Sequence, residues 1–310
     1  MHHRLRAALF LLLILGFLGI ASLVLYAMTT DISQRFPEGP PGSAVSSRSP
    51  KPVLYIGVVS RYPPPVIFHG YQPIMDYLSA RTEYRFELRP ATSYQEAVDM
   101  LVRGDAAAAF LGTYIYIRAR EQSGVRAILK PLNENGEPLS RSVLITRTDS
   151  PITSVRDLAG KRLALPSQDS FSGNWLPVAE FPRAGFTRAQ LPVVRHFSHH
   201  QSVVYQVLRG TYDAGVVKER VAKEFTNRDI RIVLSSSPIP GSPLVVSRNC
   251  DTAIVRSIRT ALLAIDVRRP EDRELVQQWD QEFRYGFAPA TEQDFDGIRD
   301  LLGMRGDRHP

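Results

Sequence analysis

The strongest constraint on the fold is a repeated alternation of short apolar runs and amphipathic segments between residues 53 and 234. The first apolar run, Val53–Val59, is continuous and bounded by turn residues, as expected of a buried strand in a parallel sheet. Later segments carry helix signals: Ser93 and Glu96 form a capping box, and Gly104 ends that helix. This rhythm predicts an α/β protein in which ligands lie beyond the carboxyl ends of the strands.

The alternation divides into two sets of units, which we predict to be two lobes. The first lobe spans residues 53–145, the second spans residues 146–232, and residues 233–304 return to the first lobe with C-terminal helices. Two lobes that face each other through the carboxyl ends of their strands enclose a cleft, and such a cleft closes by hinge motion. The predicted fold class is therefore α/β, with two doubly wound sheets and a hinge.

The N-terminus carries a different pattern, in which Arg4 and Arg6 precede an uncharged run that continues to the end of residues 1–28. This run is long enough to cross a hydrocarbon core of about 30 Å as a helix, and the positive charge before it keeps the N-terminus cytoplasmic. A cleaved signal peptide is the alternative, but its apolar region is usually only about 7–15 residues long. We favour an uncleaved inner-membrane anchor, followed by a Pro-, Ser- and Gly-rich linker over residues 29–52.

Composition and motif spacing argue against several kinds of function. The net charge is +7, but the arginines are scattered singly rather than clustered with aromatic residues, which argues against nucleic-acid binding. Cys250 is the only cysteine, so neither an internal disulfide nor a cysteine-rich metal site can form. The sequence shows no Ser-His-Asp spacing, no carboxylate pair and no Gly-rich nucleotide loop. We therefore expect neither an enzyme, nor a cofactor, nor a bound metal.

The candidate binding site lies in the stretch Ala164–Pro177, where a short strand ends in a polar loop that opens into a helix. The first turn of a helix presents backbone N–H groups without internal partners, at the positive end of the helix dipole. Ser170 and Ser172 add hydroxyl groups, and Gly173 lets the backbone approach a ligand closely. These features suit a small anion. The alternative interpretation is that Ser170 only caps the helix.

Several segments, taken together and in order, resemble one protein family. They are Tyr55–Val59, Leu111–Tyr116, Asp157–Arg162, Ser170–Pro177, Phe197–His199, Gly210–Val217 and Ser237–Pro243. The chain resembles the periplasmic substrate-binding proteins of phosphate, phosphite and phosphonate ABC transporters. The likeness covers residues 53 to about 290, and the order of the segments makes it more specific than any one of them.

The resemblance implies a two-lobed, type II periplasmic-binding-protein fold that captures a small oxyanion by closing its cleft, without chemistry. The oxyanion-binding loop of the family falls on four consecutive residues, with a phenylalanine in place of the usual threonine: Ser170, Phe171, Ser172 and Gly173. A tyrosine of the family falls on Tyr116, which would donate its phenol from the opposite lobe. A histidine of the family falls on His199. We add Tyr62, in a proline-rich loop after the first strand, as a residue that lines the mouth of the cleft; the alternative is that it only covers the end of that strand.

Two positions depart from the pattern of the family. His200 stands where an acidic residue often follows the histidine, and Lys218 stands where the family tends to carry an aspartate. Losing acids and gaining a base raises the positive potential of the cleft. This disfavours a ligand that carries an amine and favours a more anionic one, because each desolvated charge needs a partner. The alternative is a site that no longer binds a phosphorus oxyanion.

The resemblance also implies the partners and the location of the chain. It predicts a small anionic ligand, a permease of an ABC transporter as partner, and a periplasmic location, with attachment to the inner membrane through the N-terminal helix. The alternative is a membrane-anchored sensory or scaffold domain of the same fold, with a different anionic ligand and a signalling partner in the same membrane.

Overall fold

The structure is a computed structural model that describes residues 16, 19–22, 51–191, 193–225 and 227–301. Residues 16 and 19–22 are helical, and the rest of the predicted anchor and nearly all of the predicted linker lie outside the described residues. Among the residues that are described, no helix combines the length and the apolar character needed to cross a membrane. The N-terminal anchor therefore stays a prediction.

Strands and helices alternate along most of the described chain, as the apolar pattern indicates. The strands are β1 (Val53–Val58), β2 (Arg85–Pro90), β3 (Ala108–Phe110), β4 (Arg126–Pro131), β5 (Leu139–Ser140), β6 (Ser142–Arg147), β7 (Arg162–Leu165), β8 (Val193–His196), β9 (Ala214–Lys218), β10 (Ile230–Ser235), β11 (Ile239–Pro240), β12 (Leu244–Val246) and β13 (Phe287–Pro289). The helices are α1 (Pro64–Arg81), α2 (Tyr94–Arg103), α3 (Thr113–Ser123), α4 (Phe171–Trp175), α5 (Phe181–Arg183), α6 (His200–Leu208), α7 (Glu219–Lys223), α8 (Thr252–Leu263), α9 (Pro270–Val276) and α10 (Asp296–Leu301). A π-helical turn, Leu176–Glu180, joins α4 to α5.

Two sheets form the centres of two lobes, which is the predicted architecture. Lobe 1 contains the six-stranded sheet β13-β4-β12-β3-β1-β2, and lobe 2 contains the five-stranded sheet β10-β6-β9-β7-β8. Both sheets are mixed rather than parallel throughout: β12 runs antiparallel to β3 and β4, and β6 runs antiparallel to β9 and β10. The reason is that β6 and β12 enter directly from the other lobe, so they start at the cleft, where the parallel strands end.

Two segments cross between the lobes, and they pair with each other as the short antiparallel ribbon β5–β11. The lobe boundary falls just before β6, because this strand pairs with β9 and β10 of lobe 2. The predicted boundary between residues 145 and 146 therefore placed most of this strand in the wrong lobe. The last strand of lobe 2, β10, ends at Ser235, beyond the predicted limit at residue 232.

A buried aromatic cluster holds the C-terminal segment of the chain against lobe 1. The Phe283 ring lies 5.4 Å from the Tyr71 ring of α1, 4.6 Å from the Phe110 ring of β3, and stacks on Phe287 at 5.6 Å, measured between ring centres. Fully buried aromatic side chains contribute a large share of core stability through apolar burial and ring contacts. The cluster thereby fixes the residues next to Phe283 relative to β1 and β3.

Candidate ligand-binding site

The two lobes enclose a small cavity of about 20 Å³, which is room for about one water molecule. Lobe 1 lines it with residues at or beyond the strand ends: Val59, Arg61, Tyr94, Gly112 and Thr113. Lobe 2 contributes residues that follow β7, end β9, or begin β6 and α6: Ser142, Ser170, Phe171, Ser172, His200 and Lys218. The crossing segments add Ser140, Arg141, Ile239 and Ser242. The cavity therefore lies where the strand pattern predicts the cleft.

The lining of the cavity is chemically one-sided. Three of the described lining residues are cationic, namely Arg61, Arg141 and Lys218. None of the described lining residues carries a carboxylate. Serine and threonine hydroxyls make up much of the remaining polar surface. A desolvated site with several cations, hydroxyl donors and no competing carboxylate favours an anionic ligand.

The Ser170 hydroxyl is engaged within its own loop, as in the capping alternative. It donates to the Ser167 carbonyl at 2.8 Å and accepts from the Gly173 N–H at 3.0 Å. Ser172 is different, because its hydroxyl lies 2.6 Å from the hydroxyl of Ser142 on β6 and both side chains are buried. The pair formed by Ser142 and Ser172 thus presents two adjacent hydroxyls in the wall of the cavity.

Gly173 supports this loop from behind rather than lining the cavity. A Cβ atom at this position would lie 2.2 Å from the Ser167 carbonyl oxygen and 2.9 Å from that of Pro166. Because both atoms belong to the backbone, the loop cannot relieve such a clash by rotating a side chain. The close approach predicted at Gly173 is therefore an approach to the protein's own loop.

His200 lines the cavity, and the predicted ligand-binding residue His199 does not. His199 does not line the cavity; it is half-buried, and its Nδ1–H donates to the Ser60 carbonyl of lobe 1 at 3.0 Å. His200, the first residue of α6, is buried and lines the cavity. Adjacent residues at a helix start point in different directions, so only one of the two can face the cleft.

His200 is held as a neutral imidazole. Its Nδ1 accepts a hydrogen bond from the backbone N–H of Lys218 at 3.3 Å, so the neutral ring carries its proton on Nε2. Burial, followed by the charges of Lys218, Arg61 and Arg220, holds the pKa of His200 well below its usual range. The side chain can therefore donate a hydrogen bond at neutral pH without adding a charge.

The structure does not bring Tyr116 to the cavity. This side chain is fully buried in lobe 1, where its ring meets Phe295 edge-on at 4.8 Å and its hydroxyl accepts from the Ala127 N–H at 3.4 Å. Since α3 begins at Thr113, the residues that face the cavity are Gly112 and Thr113, and Tyr116 falls on the face that packs against β4. The predicted phenol donor is therefore a core residue here.

Tyr62 is likewise packed away from the cavity. It is buried, the guanidinium carbon of Arg220 lies 5.8 Å from its ring centre, and its hydroxyl has no hydrogen-bond partner among the described residues. Burial raises the pKa of Tyr62 well above its usual value, so the phenol stays protonated. The neighbouring Arg61 takes the place in the cavity that was predicted for Tyr62.

Lys218, the last residue of β9, lines the cavity, but it is already paired. Its Nζ lies 2.6 Å from Glu282 Oε1 and 2.6 Å from the Ser242 hydroxyl. Arg61 contacts the other carboxylate oxygen of Glu282, and Arg220 Nη2 lies 3.5 Å from that same oxygen. Sequence reasoning missed Arg61, although its position directly after β1 was a usable signal, and it missed Glu282, which no local pattern marks.

Burial and ion pairing shift the pKa values of Lys218 and Glu282 in opposite directions, and together they decide which groups are charged. Burial lowers the pKa of Lys218 to about 8; the carboxylate of Glu282 limits this fall, and the charges of Arg61 and Arg220 add to it. Burial alone would raise the pKa of Glu282, but Arg61, Lys218 and Arg220 hold it well below its usual range. At neutral pH the carboxylate is therefore ionised and the ammonium is mostly protonated.

The sequence of the chain matches the model of a family described as "ABC transporter, phosphonate, periplasmic substrate-binding protein" over residues 56–295. The chain belongs to this family. Among curated relatives, the phosphate-import protein PhnD of Mycolicibacterium smegmatis is 23% identical over an alignment of 263 residues, and the match covers 76% of this chain and 81% of the relative. The resemblance inferred from the sequence is thereby confirmed.

Solved structures show the same fold. The binding protein component of an ABC phosphonate transporter from Pseudomonas aeruginosa superposes with a TM-score of 0.72 at 18% identity, covering 81% of this chain and 85% of that one. PhnD1 from Prochlorococcus marinus, solved in complex with methylphosphonate, superposes with a TM-score of 0.71 at 16% identity, covering 81% and 97%. These similarities confirm the two-lobed α/β fold of periplasmic binding proteins.

Membership of this family settles the class of function. The chain is a substrate-binding protein of an ABC transporter, and its family is periplasmic. This class takes up a small anionic ligand and works with a permease, and it is not a class of enzymes. The sensory or scaffold alternative is accordingly not favoured.

We expect Gly173→Ala to destabilise the protein by about 1–3 kcal/mol, because the new methyl group has to displace the backbone of residues 166–167. Gly297→Ala is the matched control, since a Cβ there has no atom within 4 Å and alanine is the better helix former. Urea unfolding of the two variants measures the difference. Equal stability of both variants would contradict the packing described for this loop.

We expect the free energy of unfolding to fall as the pH drops below about 6.5, because the unfolded chain protonates His200 and the folded chain does not. The sign follows from a folded-state pKa below the unfolded one, and this group contributes up to about 1.4 kcal/mol per pH unit. His200→Gln should remove that part of the slope between pH 7 and pH 5. His69→Gln, at an exposed histidine, is the control, and equal slopes in both variants would refute the assignment.

Proposed function

We propose that this protein captures a phosphorus oxyanion of the phosphate, phosphite or simple alkylphosphonate class in the cavity between its lobes and delivers it to an ABC permease. The observation that carries the proposal is the lining of the cavity, which presents three cations and a series of hydroxyls and, among the described residues, no carboxylate. The import of phosphate by one relative and the methylphosphonate complex of another support this ligand class.

The donors in the wall suggest how the ligand is held. The hydroxyls of Ser142 and Ser172 are hydrogen-bonded to each other, so one of the two protons is free. A ligand that replaces this bond receives a donor from each hydroxyl, on two oxygens of one tetrahedral group. His200 adds a neutral donor, and Arg61 adds a buried guanidinium whose Nε has no hydrogen-bond partner among the described residues. Charge-assisted hydrogen bonds to an oxyanion are stronger than neutral ones, and burial strengthens them further.

The same lining argues against ligands that carry an amine. A ligand ammonium group needs a carboxylate or another acceptor once water is removed. Glu282, the carboxylate that pairs with Arg61 and Lys218, is already engaged by these cations and does not line the cavity. We therefore infer that aminoalkylphosphonates bind less tightly than unsubstituted ones.

Ligand entry requires the lobes to separate, because the cavity of about 20 Å³ is too small for a phosphonate group. The two crossing segments, paired as β5 and β11, are the connections about which such a motion takes place. A ligand that contacts both lobes stabilises the closed arrangement, since it binds that arrangement better than the open one.

The affinity test replaces the two adjacent hydroxyls. We expect Ser142→Ala combined with Ser172→Ala to weaken binding of phosphate or methylphosphonate at least tenfold, or about 1.4 kcal/mol, in isothermal titration calorimetry. Ser123→Ala, at an exposed serine, is the control and should bind like the unchanged protein. Phosphite, sulfate and small carboxylates complete the series. Binding of carboxylates alone, or unchanged affinity in the double variant, would overturn the proposed site.

We also propose that residues 1–28 anchor the chain in the inner membrane and that residues 29–52 are a linker that holds the folded part away from the membrane in the periplasm. The support is the uncharged run that follows Arg4 and Arg6. We expect the chain to stay with the membrane fraction after a carbonate wash and to retain its N-terminal residues in mass spectrometry. A periplasmic form that begins after this segment would show a cleaved signal peptide instead.

A further inference from the structure

Glu282 belongs to lobe 1 and is held there by several contacts. Its backbone N–H donates to Asp280 Oδ1 at 2.9 Å, and the Asp280 N–H in turn donates to the Gly70 carbonyl of α1 at 2.8 Å. The next residue, Phe283, lies in the aromatic cluster of lobe 1. Arg61, also in lobe 1, pairs with the Glu282 carboxylate. The position of this carboxylate is therefore fixed by lobe 1.

Two cations reach the same carboxylate from lobe 2. Lys218, at the end of β9, places its Nζ 2.6 Å from Glu282 Oε1, and Arg220, at the start of α7, places Nη2 3.5 Å from Oε2. Arg220 Nη1 also lies 3.6 Å from Asp280. The contact between the lobes at this point is thus an ion-pair network centred on Glu282.

Because the network is largely buried, its ion pairs lose much of their stabilisation when the two lobes move apart. The side chains of Glu282, Lys218 and Arg220 are only 7%, 17% and 19% exposed. Ion pairs in such surroundings are screened little by water, and removing one partner leaves the others desolvated and unpaired. Opening the lobes moves Lys218 and Arg220 away from Glu282, so the open and closed arrangements differ directly in these contacts.

Glu282 lies beside the cavity but does not line it. Lys218 and Arg61 line the cavity, whereas Glu282 and Arg220 border a neighbouring groove of about 690 Å³, which shares only Ser140 and Arg141 with the cavity among the described residues. The carboxylate therefore acts on the site through the residues that it holds, rather than by touching a ligand.

We propose that Glu282 is a positioning residue that sets the equilibrium between the open and closed states of the protein, through its ion pairs with Lys218 and Arg220 across the cleft. The lobes then have an intrinsic tendency to close without a ligand. Affinity depends on this equilibrium, because only the closed state completes the site, and a shift in the closed fraction changes the apparent affinity for every ligand by the same factor. The statement about affinity rests on the proposed function, whereas the statement about closure does not.

The test measures the distance between the lobes in the full-length chain by single-molecule energy transfer. Dyes on Val102→Cys in lobe 1 and Val193→Cys in lobe 2, both exposed positions, report the distance in a Cys250→Ser background. Without added ligand we expect the unchanged network to give a predominantly closed population. Glu282→Gln should move most molecules to a second distance and weaken methylphosphonate and phosphate binding by the same factor, at least tenfold.

Further variants test whether the change in lobe distance comes from losing the ion pair, from a change in net charge or from misfolding. Lys218→Met removes the partner from the other lobe and should open the protein as Glu282→Gln does. Glu282→Gln combined with Lys218→Met keeps the net charge and should remain open, whereas a purely electrostatic role predicts a return to the original distance. Glu271→Gln, at an exposed glutamate of lobe 1, should change neither distance nor affinity. Circular dichroism confirms that each variant is folded.

The outcomes distinguish this inference from the proposed function. An unchanged distance distribution in folded Glu282→Gln overturns the inference, whether or not the unchanged protein binds phosphorus oxyanions. A shifted distribution supports it, and if no phosphorus oxyanion binds even the unchanged protein, the proposed function fails while closure by Glu282 stands.

Discussion

A buried carboxylate between cations of two lobes is the interaction on which the rest of the site depends. Arg61 and Lys218 face the cavity, and two desolvated cations so close together repel each other unless an anion lies near them. Glu282 supplies that anion from outside the cavity, where it does not compete for the ligand. The cavity can therefore be cationic on its inner surface while the surrounding protein stays electrostatically balanced.

The mixed sheets bring these groups together. Strands β1, β3, β7 and β9 end at the cleft, so the residues that follow them meet there, and the strands that cross from the opposite lobe begin there as Ser142 and Leu244. Polar groups from eight described chain segments consequently converge on one small volume. A fold of two facing α/β lobes achieves this with few residues, because strand ends and helix starts are already polar.

Much of the fold and part of the site could be predicted from the sequence. Apolar runs and helix caps are local signals, and they located most strands, the two lobes, and the loop that carries Ser170 and Ser172. Lys218 was singled out because it stands where the family tends to carry an aspartate. Tyr116 was assigned to the ligand, although its hydroxyl accepts a hydrogen bond from the backbone of strand β4. The residues around Tyr116 in the sequence do not show that its side chain packs against another strand, because that contact depends on the tertiary structure.

The sequence by itself determined the class of protein, the order of its elements and the loops that end at the cleft, because each depends on residues near one another in the chain. Only the tertiary structure decided which side chains face the cavity and how its charges are balanced. His200 rather than His199 lines it because of the direction in which α6 starts. Glu282 meets Arg61 across 221 residues and Lys218 across 64. The first pair forms only when lobe 1 has folded, and the second only when the two lobes have also closed.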